Sequence, residues 1–404
     1  MSSNTYVPYG AYWSTPFSKW QGSLSHLHAM TLAAHVAKQE LRKRVIEPSI
    51  FDHAIMGYSV PQHRAFYGLP WLTGMIGLEH VTGQTISQAC ATSARCVANA
   101  SLEINAGYAT ASLLVALDRC SNGPHLYYPD PTGSGGTGAH EDWVMDNFSF
   151  DPHAKGAMLD TGENVAKKFG ITTAEQHEVV LRRYEQYTDA LANDKAFQKR
   201  YMTLPFDVPD ARFKKTIKTI DGDEGIFAST AEGLAKLKPV KEGGTITFGG
   251  QTHPADGNAA MIVANKEKAR EMSADPKVEI QVIGFGQARA DKGMMPYAPV
   301  LATKQALQHT GLTMKDITAV KSHNPFAVND IAFAREMGID WKTMNNYGSS
   351  LIYGHPQGPT GMRTMIELIE ELVIRGGGYG LFQGCAAGDG AMAVILKVND
   401  SLQS

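Results

Sequence analysis

One cysteine in this sequence stands where covalent chemistry could begin. Cys90, in the segment GQTISQACATSARCVANA, follows a short strand pattern and precedes a breaker-free, alanine-rich stretch of helical character. Unpaired N–H groups at the start of a helix favour the thiolate, which is the nucleophilic form of cysteine. Cys90 is therefore a candidate nucleophile for covalent catalysis, and a buried structural cysteine is the alternative that this segment alone leaves open.

Two further side chains could move protons for that nucleophile. His355 lies in YGHPQGPTGMR, on a glycine- and proline-rich turn before a long amphipathic helix, and could act as general base for a thiol. Cys385 lies in FQGCAAGDGAMAV, where an apolar strand runs into a turn of small residues that a substrate can approach closely. The plain alternatives are a turn histidine bonded locally and a structural cysteine.

A polar pair precedes a further predicted helix. His323 and Asn324, in VKSHNPFAVND, follow a short apolar strand, and both side chains can donate or accept hydrogen bonds. A pocket that polarises a carbonyl group would use such residues. A helix cap is the ordinary alternative.

The elements that must position these residues alternate between strand and helix. Residues 26–45 and 90–105 have helical character, and 109–118 and 257–264 are short apolar runs typical of buried strands. The same alternation continues to the end of the chain, which predicts parallel or mixed sheets covered by helices.

A composition shift near residue 121 indicates an insertion. The region 121–247 opens with a segment rich in Gly, Pro and Tyr, and its second helix is predicted to start with a capping box of Thr173 and Gln176. The predicted organisation is an N-terminal half (1–120 plus 248–273), an inserted loop domain (121–247) and a C-terminal half (274–404).

Charge and composition exclude several classes of function. Lys plus Arg number 37 against 40 Asp plus Glu, so no basic excess favours nucleic acid or an anionic membrane. No run approaches the ~18 apolar residues of a membrane span, and MSSNTYVPYG lacks the pattern of a signal peptide. Four cysteines without a C-x-x-C pair predict neither a zinc site nor a disulfide framework, and they fit a reduced, cytoplasmic setting.

The order of these segments and their amino-acid sequences resemble the thiolase (acetyl-CoA acyltransferase) family over nearly the whole chain, from about Thr15 to Val398. The matching blocks surround Cys90 and Cys385 and include MLDTGENVAKKFGIT, THPADGNAA, HNPFA and GHPQGPTG. The resemblance implies an α/β protein with a duplicated five-layer αβαβα fold and an inserted loop domain that binds coenzyme A (CoA) and substrate.

The resemblance also implies a set of catalytic roles. Cys90 would attack an acyl thioester, His355 would take its proton, and Cys385 would act as acid and base at the α-carbon of the second thioester. One oxyanion hole would combine His355 with a water held by His323. The other would use the backbone N–H groups of Cys90 and Ala387.

Ligands and partners are implied in the same way. CoA would be a substrate, with no permanently bound cofactor, and the lysines between residues 213 and 241 are candidates for its phosphates. The assembly would be a homodimer or tetramer, and a small zinc-containing OB-fold partner, which some related thiolases use, would be a separate chain. The expected substrate- and CoA-binding residues are Met158, Thr252, Met295, Asn324 and Phe326.

Departures from the family pattern concern the acyl pocket. His323 stands where most thiolases have Asn, Ala157-Met158-Leu159 replaces His-Met-Gly, and bulky residues surround Met295. These changes suggest an atypical acyl group that is bulky, aromatic or acid-bearing. The candidate partners for a substrate carboxylate are His253, Arg289 and Lys292. The alternative is that each is an ordinary solvated side chain.

Three functions compete for this pattern. The first is a degradative thiolase, of the β-oxidation type, that cleaves a 3-oxoacyl-CoA with CoA; the biosynthetic acetoacetyl-CoA thiolase is its reverse-direction variant. The second is a condensing enzyme of the ketoacyl-synthase type, which would use Cys90, His323 and His355. The third is a non-catalytic scaffold. Cys385 favours the first, because decarboxylative condensation needs no second cysteine.

Overall fold

A computed structural model describes residues 3–400. Its strands are β1 (Tyr6–Pro8), β2 (Tyr12–Ser14), β3 (Ser18–Lys19), β4 (His53–Gly57), β5 (Thr82–Ile86), β6 (Ala111–Arg119), β7 (His125–Tyr128), β8 (Ala139–Asp142), β9 (Phe206–Pro209), β10 (Thr216–Ile220), β11 (Ala255–Ala264), β12 (Val278–Arg289), β13 (Ile317–His323), β14 (Gly377–Ala386) and β15 (Gly390–Asp400). Its α-helices are α1 (Ala29–Lys43), α2 (Leu69–Ile76), α3 (Thr92–Asn105), α4 (Met145–Ser149), α5 (Met158–Phe169), α6 (Thr173–Lys195), α7 (Ala231–Ala235), α8 (Lys266–Met272), α9 (Ala298–Thr310), α10 (Ala327–Met337), α11 (Ser350–Tyr353) and α12 (Gln357–Ile374).

The large sheet consists of two similar halves joined by a short N-terminal strand. One half has the order β5-β4-β6-β11, and the other has the order β13-β14-β15-β12. Strand β1 pairs antiparallel with both inner strands, where Tyr6 lies opposite Ala264 of β11 and Gln281 of β12. Pairing is parallel at the outer strands (β4 with β5 and β6, β13 with β14) and antiparallel elsewhere, so the sheet is mixed as predicted.

The helices make five layers with the two halves of the sheet. Helices α3 and α12 pack against each other between the halves and contact strands of both. Helices α1 and α2 cover the outer face of the first half, and α9 covers the outer face of the second. Strands buried on both faces must be apolar almost throughout, which explains why β6 and β11 read as continuous runs. The five-layer αβαβα fold that the resemblance implied is confirmed.

The region predicted as an insertion carries α4 to α7 and two small hairpins, β7–β8 and β9–β10. Helix α6 packs against α10 and α11, close to the C-terminal ends of β13 and β14. The capping box of α6 is formed by Thr172 and Glu175, one residue earlier than predicted, because the Thr172 hydroxyl accepts from the Glu175 N–H (3.2 Å). Among residues 3–400, no helix is long and apolar enough to span a bilayer.

Candidate active site

The candidate nucleophile stands on the turn between β5 and α3. Cys90 precedes the first residue of the helix, Thr92, by two positions. Ala89 has a left-handed backbone with φ of +45°, which non-glycine residues rarely adopt, and its carbonyl accepts from the Thr92 hydroxyl (2.7 Å). This tight turn brings the Cys90 thiol to the wall of a large cavity, where the N–H groups of Cys90 and Ala387 lie against its sulfur.

His355 lies on the turn between α11 and α12 and meets this cysteine. Its Nε2 is 3.1 Å from Cys90 Sγ, and its Nδ1 is 2.7 Å from Thr360 Oγ1. The Thr360 hydroxyl donates its one proton to the Pro356 carbonyl (2.7 Å), so its oxygen accepts from His355. The neutral ring therefore carries its proton on Nδ1 and presents the Nε2 lone pair to the thiol.

A second histidine stacks on the first. The rings of His323 and His355 have centroids 4.0 Å apart and planes inclined by 25°, and His323 is fully buried at the end of β13. Its Nδ1 is 2.9 Å from Ser350 Oγ, which also lies 3.3 Å from Asn324 Oδ1. His323 Nε2 has no hydrogen-bond partner within the described part of the chain.

Burial determines the protonation of these groups. It raises the pKa of Cys90 to about 12, against the lowering effect of the Ala387 and Cys90 N–H groups. It lowers the pKa of His355 well below its usual value and that of His323 to about 3. The resting site therefore holds a thiol and two neutral imidazoles rather than the thiolate expected from the helix start.

The second cysteine opens into the same cavity from the opposite sheet half. Cys385, fully buried near the end of β14, packs in an apolar cluster with Met295 and Phe326. Asn329 on α10 donates from Nδ2 to its sulfur (3.3 Å). Burial raises the pKa of this thiol far above its usual range, and the nearby Cys90 raises it further.

These groups are better suited to proton transfer than to metal binding. Cys90 Sγ and one ring nitrogen each of His323 and His355 lie within 4.8 Å of one another, which makes these residues a possible ligand set. The imidazole lone pairs lie in the ring planes, however, and two stacked, nearly parallel planes do not direct them at one ion. The direct contact between the His355 nitrogen and the Cys90 sulfur is instead the geometry of a nucleophile and its base.

The cavity has a volume of about 790 Å³ and a predominantly apolar wall. No Asp, Glu, Lys or Arg belongs to its lining within the described residues. Exposed aromatic side chains stand at its rim, with Phe227 77% and Phe248 73% accessible. Side chains that form the deeper wall are Met158, Leu159, Val180, Met295, Phe326, Leu351 and Ile352.

Most of the residues predicted for substrate contact reach this cavity. Met158, Thr252, Met295 and Phe326 line it. Asn324 does not: its amide oxygen accepts from Leu351 N–H, and its NH₂ group donates to a buried carboxylate on α10. A structural role behind the cavity wall therefore replaces the substrate contact predicted for Asn324.

The three candidate partners for a substrate carboxylate do not form an anion site. Arg289 and Lys292 are exposed and lie outside the lining, and the Arg289 guanidinium donates to the Gly388 carbonyl (3.0 Å). His253 does line the cavity, but burial lowers its pKa and keeps its ring neutral.

Three residues of the site were missed in the sequence. Thr360 fixes the tautomer of His355, Ser350 contacts the His323 ring, and Asn329 contacts Cys385. Ser350 lies 27 positions from its histidine, so no local pattern connects them. Only the Thr360 contact had a local signal in the sequence, namely a threonine at the start of a helix and five residues after His355.

A mixed five-layer α/β fold in which two cysteines and a histidine meet at one apolar cavity defines the thiolase class of enzyme. The family comparisons agree, since the thiolase N-terminal domain matches residues 11–267 and the thiolase C-terminal domain matches residues 276–398. The chain belongs to the thiolase family, whose members are acyltransferases.

Individual relatives are similar over almost their full length. A probable acetyl-CoA acetyltransferase of Mycobacterium leprae is 30% identical, with 95% of this chain and 97% of the relative covered. The human mitochondrial 3-ketoacyl-CoA thiolase is 28% identical, with coverages of 95% and 96%. The crystal structure of the human enzyme in complex with CoA superposes with a TM-score of 0.88 at 29% identity, covering 98% of this chain and 99% of that one.

Proposed function

We propose that this thiolase cleaves a 3-oxoacyl-CoA with CoA, through an acyl group held on Cys90, to give acetyl-CoA or another acyl-CoA pair. The observation that carries the proposal is the 3.1 Å contact between Cys90 Sγ and His355 Nε2, with Cys385 opening into the same cavity. The human relative named 3-ketoacyl-CoA thiolase, which was crystallised with CoA, supports this substrate class.

In the first half-reaction, Cys90 Sγ attacks the 3-oxo carbon while its proton passes to His355 Nε2. The tetrahedral oxyanion is stabilised by the N–H groups of Cys90 and Ala387, which already lie against the sulfur. The bond between the α-carbon and the 3-oxo carbon then breaks, and Cys385 gives its proton to the α-carbon. A thioester leaves, and the acyl group stays on Cys90.

In the second half-reaction, the thiol of CoA gives up its proton to the Cys385 thiolate and attacks the acyl-Cys90 carbonyl. Cys90 leaves as a thiolate and recovers its proton from His355. During the first half-reaction the enolate oxygen of the leaving thioester accepts from the protonated His355 Nε2 and from a water. His323 Nε2, which has no partner among the described residues, holds that water by accepting one of its protons, and this leaves the other proton for the enolate.

The lining supports a bulky, uncharged acyl group. A wall of Met, Leu, Phe and Ile side chains without a cation stabilises apolar atoms and offers no counter-ion to a carboxylate. The acid-bearing alternative is therefore not favoured. For CoA we assign the pantetheine arm to Thr252 and the phosphates to Lys236 and Lys238, which are exposed beside the mouth residue Leu237.

The biosynthetic direction, condensation of two acetyl-CoA molecules, is the second candidate, because several relatives are named acetyl-CoA acetyltransferase. A ketoacyl-synthase type is disfavoured by the second cysteine in the cavity. A homodimer or tetramer in the cytoplasm remains part of the proposal, and so does a separate zinc OB-fold partner, which rests on analogy.

Mass spectrometry of the intact protein with acetyl-, octanoyl-, phenylacetyl- and succinyl-CoA tests the acyl-enzyme. Apolar acyl groups should add their mass to Cys90, and succinyl-CoA should add none. Cys90→Ser should abolish the adduct, whereas Cys96→Ser, a buried cysteine of α3, should keep it. Cys385→Ala should still be acylated but should not cleave the carbon–carbon bond. Full thiolysis by Cys385→Ala would show that its assigned role is wrong.

A further inference from the structure

Forming a thiolate at Cys385 is energetically costly. Its side chain is fully buried and packs against apolar groups, and burial raises its pKa. The charged or titratable neighbours that affect it, Cys90 from the turn before α3 and Asp330 from α10, raise that pKa further. The proposed reaction nevertheless passes through a Cys385 thiolate in every turnover, so some group must offset this cost.

Asn329 is placed to do so. It lies in the first turn of α10, is 2% accessible, and directs Nδ2 at Cys385 Sγ from 3.3 Å. Its orientation is fixed from the other end, because Oδ1 accepts from the Phe326 N–H (3.2 Å). Only the NH₂ group can then face the sulfur, and it is a donor without acceptor capacity.

We propose that Asn329 is a positioning residue that holds Cys385 Sγ and stabilises its thiolate during carbon–carbon bond exchange. The inference rests on the proposed role of Cys385. When Cys385 gives its proton to the leaving α-carbon, the negative charge arrives on a sulfur that already accepts an N–H. When the thiolate takes a proton back, the same contact keeps the sulfur in place. A hydrogen bond to a charged group stabilises more than one to a neutral group, so the contact strengthens as the thiolate forms.

The test measures the pH dependence of Cys385 alkylation by iodoacetamide, mapped by peptide mass spectrometry. A Cys90→Ser background removes the other thiol of the cavity. Adding Asn329→Ala should move the alkylation profile to higher pH and lower the rate at pH 8.5 by about tenfold, the size of one charge-assisted hydrogen bond. Asn329→Asp should lower it more, because the carboxylate can still accept from Phe326 N–H but places a negative oxygen against the sulfur.

Asn164→Ala is the control, because this exposed residue's amide also donates to a single acceptor, the Gly293 carbonyl, and does not contact Cys385. Thermal melts verify that each variant is folded, and Asn329→Asp retains the helix cap if the alanine variant is unstable. Profiles of both Asn329 variants that superpose on the background profile would overturn the proposal. Alkylation needs no turnover, so a failure of acyl transfer would refute the proposed function without affecting this readout.

Discussion

At the scale of single residues, the site depends on side chains that set which nitrogen carries a proton. Thr360 leaves His355 Nε2 free to accept the Cys90 proton, since its own hydroxyl proton is used by Pro356. Thr360→Val keeps the shape and removes the acceptor, so Cys90 acylation should slow by about tenfold or more. Single-turnover mass spectrometry measures this rate. Thr364→Val, one turn further along α12 with no contact to His355, should acylate normally; equal rates for the two variants would contradict the assignment.

The buried histidines also make stability depend on pH. Burial lowers the pKa of His253, His323 and His355 below the ordinary 6.5. An unfolded histidine binds protons more readily, so their contribution is complete above pH 6.5 and is lost as pH falls toward the folded pKa, which is about 3 for His323. Asp118 and Asp256, whose pKa values burial raises to about 6, act in the opposite direction.

A single-residue comparison separates these effects. Between pH 7.5 and 5.5 the parent protein should lose about 1.4 kcal/mol more unfolding free energy than His323→Asn, which is one pH unit of proton binding to the unfolded histidine. Urea unfolding at the two pH values measures the difference. His140→Asn, an exposed histidine of β8, should follow the parent protein. If His323→Asn loses as much as the parent protein, the ring is not neutral in the folded state.

The candidate catalytic residues could be predicted from the sequence, whereas the residues that hydrogen-bond to them could not. Cys90, His355 and Cys385 each stand at a strand end or a glycine-rich turn, which is visible in the chain itself. Asn324 was assigned to the cavity with its neighbour His323. Asn324 lies one residue beyond the end of β13, however, and its amide bonds to the Leu351 N–H and to a carboxylate on α10 inside the protein.

At the scale of elements, a buried ion pair joins Asp223, in the loop that leads to the cavity, to Arg363 on α12. Asp223 accepts from both NH₂ groups of the Arg363 guanidinium (2.6 and 2.8 Å), from the Phe17 N–H and from the Tyr187 hydroxyl. Gly225, two residues further along, already lines the cavity. The pair therefore connects the loop segment to the helix that follows His355.

Removing one member of this pair should be costly. Asp223→Ala removes one of the two carboxylates that pair with the buried Arg363 guanidinium and leaves only Glu367, so the free energy of unfolding should fall by about 3 kcal/mol. Urea unfolding measures the change. Asp194→Ala, which breaks an exposed pair with Lys199, is the control and should alter stability little. A loss as small as that of the control would mean that water reaches the Arg363 guanidinium.

Element boundaries were predicted less well than element types. The helix after Cys90 begins at Thr92, because Ala89 takes a left-handed conformation that no sequence pattern announced. Helix α6 is capped by Thr172, whose partner three residues later is Glu175, and not by Thr173. In the sequence, Thr173 and Gln176 have the same spacing and equally suitable side chains. The sequence alone cannot decide which of two adjacent threonines caps the helix, because the choice depends on the backbone conformation at the helix start.

At the scale of the whole molecule, the order of the elements permits a duplicated layout, which the family resemblance implied, but it does not indicate how the halves are joined. A three-residue strand such as β1 is too short to carry a pattern, yet it pairs with the inner strands of both halves. The central layer is likewise shared, because α3 comes from the N-terminal half and α12 from the C-terminal half. The hydrophobic core between the sheets thus belongs to neither half alone.

This shared core predicts that residues 274–404 do not fold by themselves. In that fragment α12 would keep its packing on β13 and β14 but lose its contacts with β6, β11 and α3, so the apolar side chains on that face, which are buried in the protein, would be exposed. Each large apolar side chain left in water costs about 1.5–3 kcal/mol, so a few of them remove a large share of the stability of a small domain. The isolated fragment should therefore lack a cooperative thermal transition.

The same reasoning predicts one unfolding transition for the intact chain. Trp341 is the tryptophan of the C-terminal half, and the other four, at residues 13, 20, 71 and 143, precede it. In Trp341→Phe, fluorescence reports on the N-terminal side, whereas far-UV circular dichroism reports on the whole chain. The two urea curves should have the same midpoint, because losing either half exposes the core of the other. Two separated midpoints, or a folded 274–404 fragment, would show that each half has a core of its own.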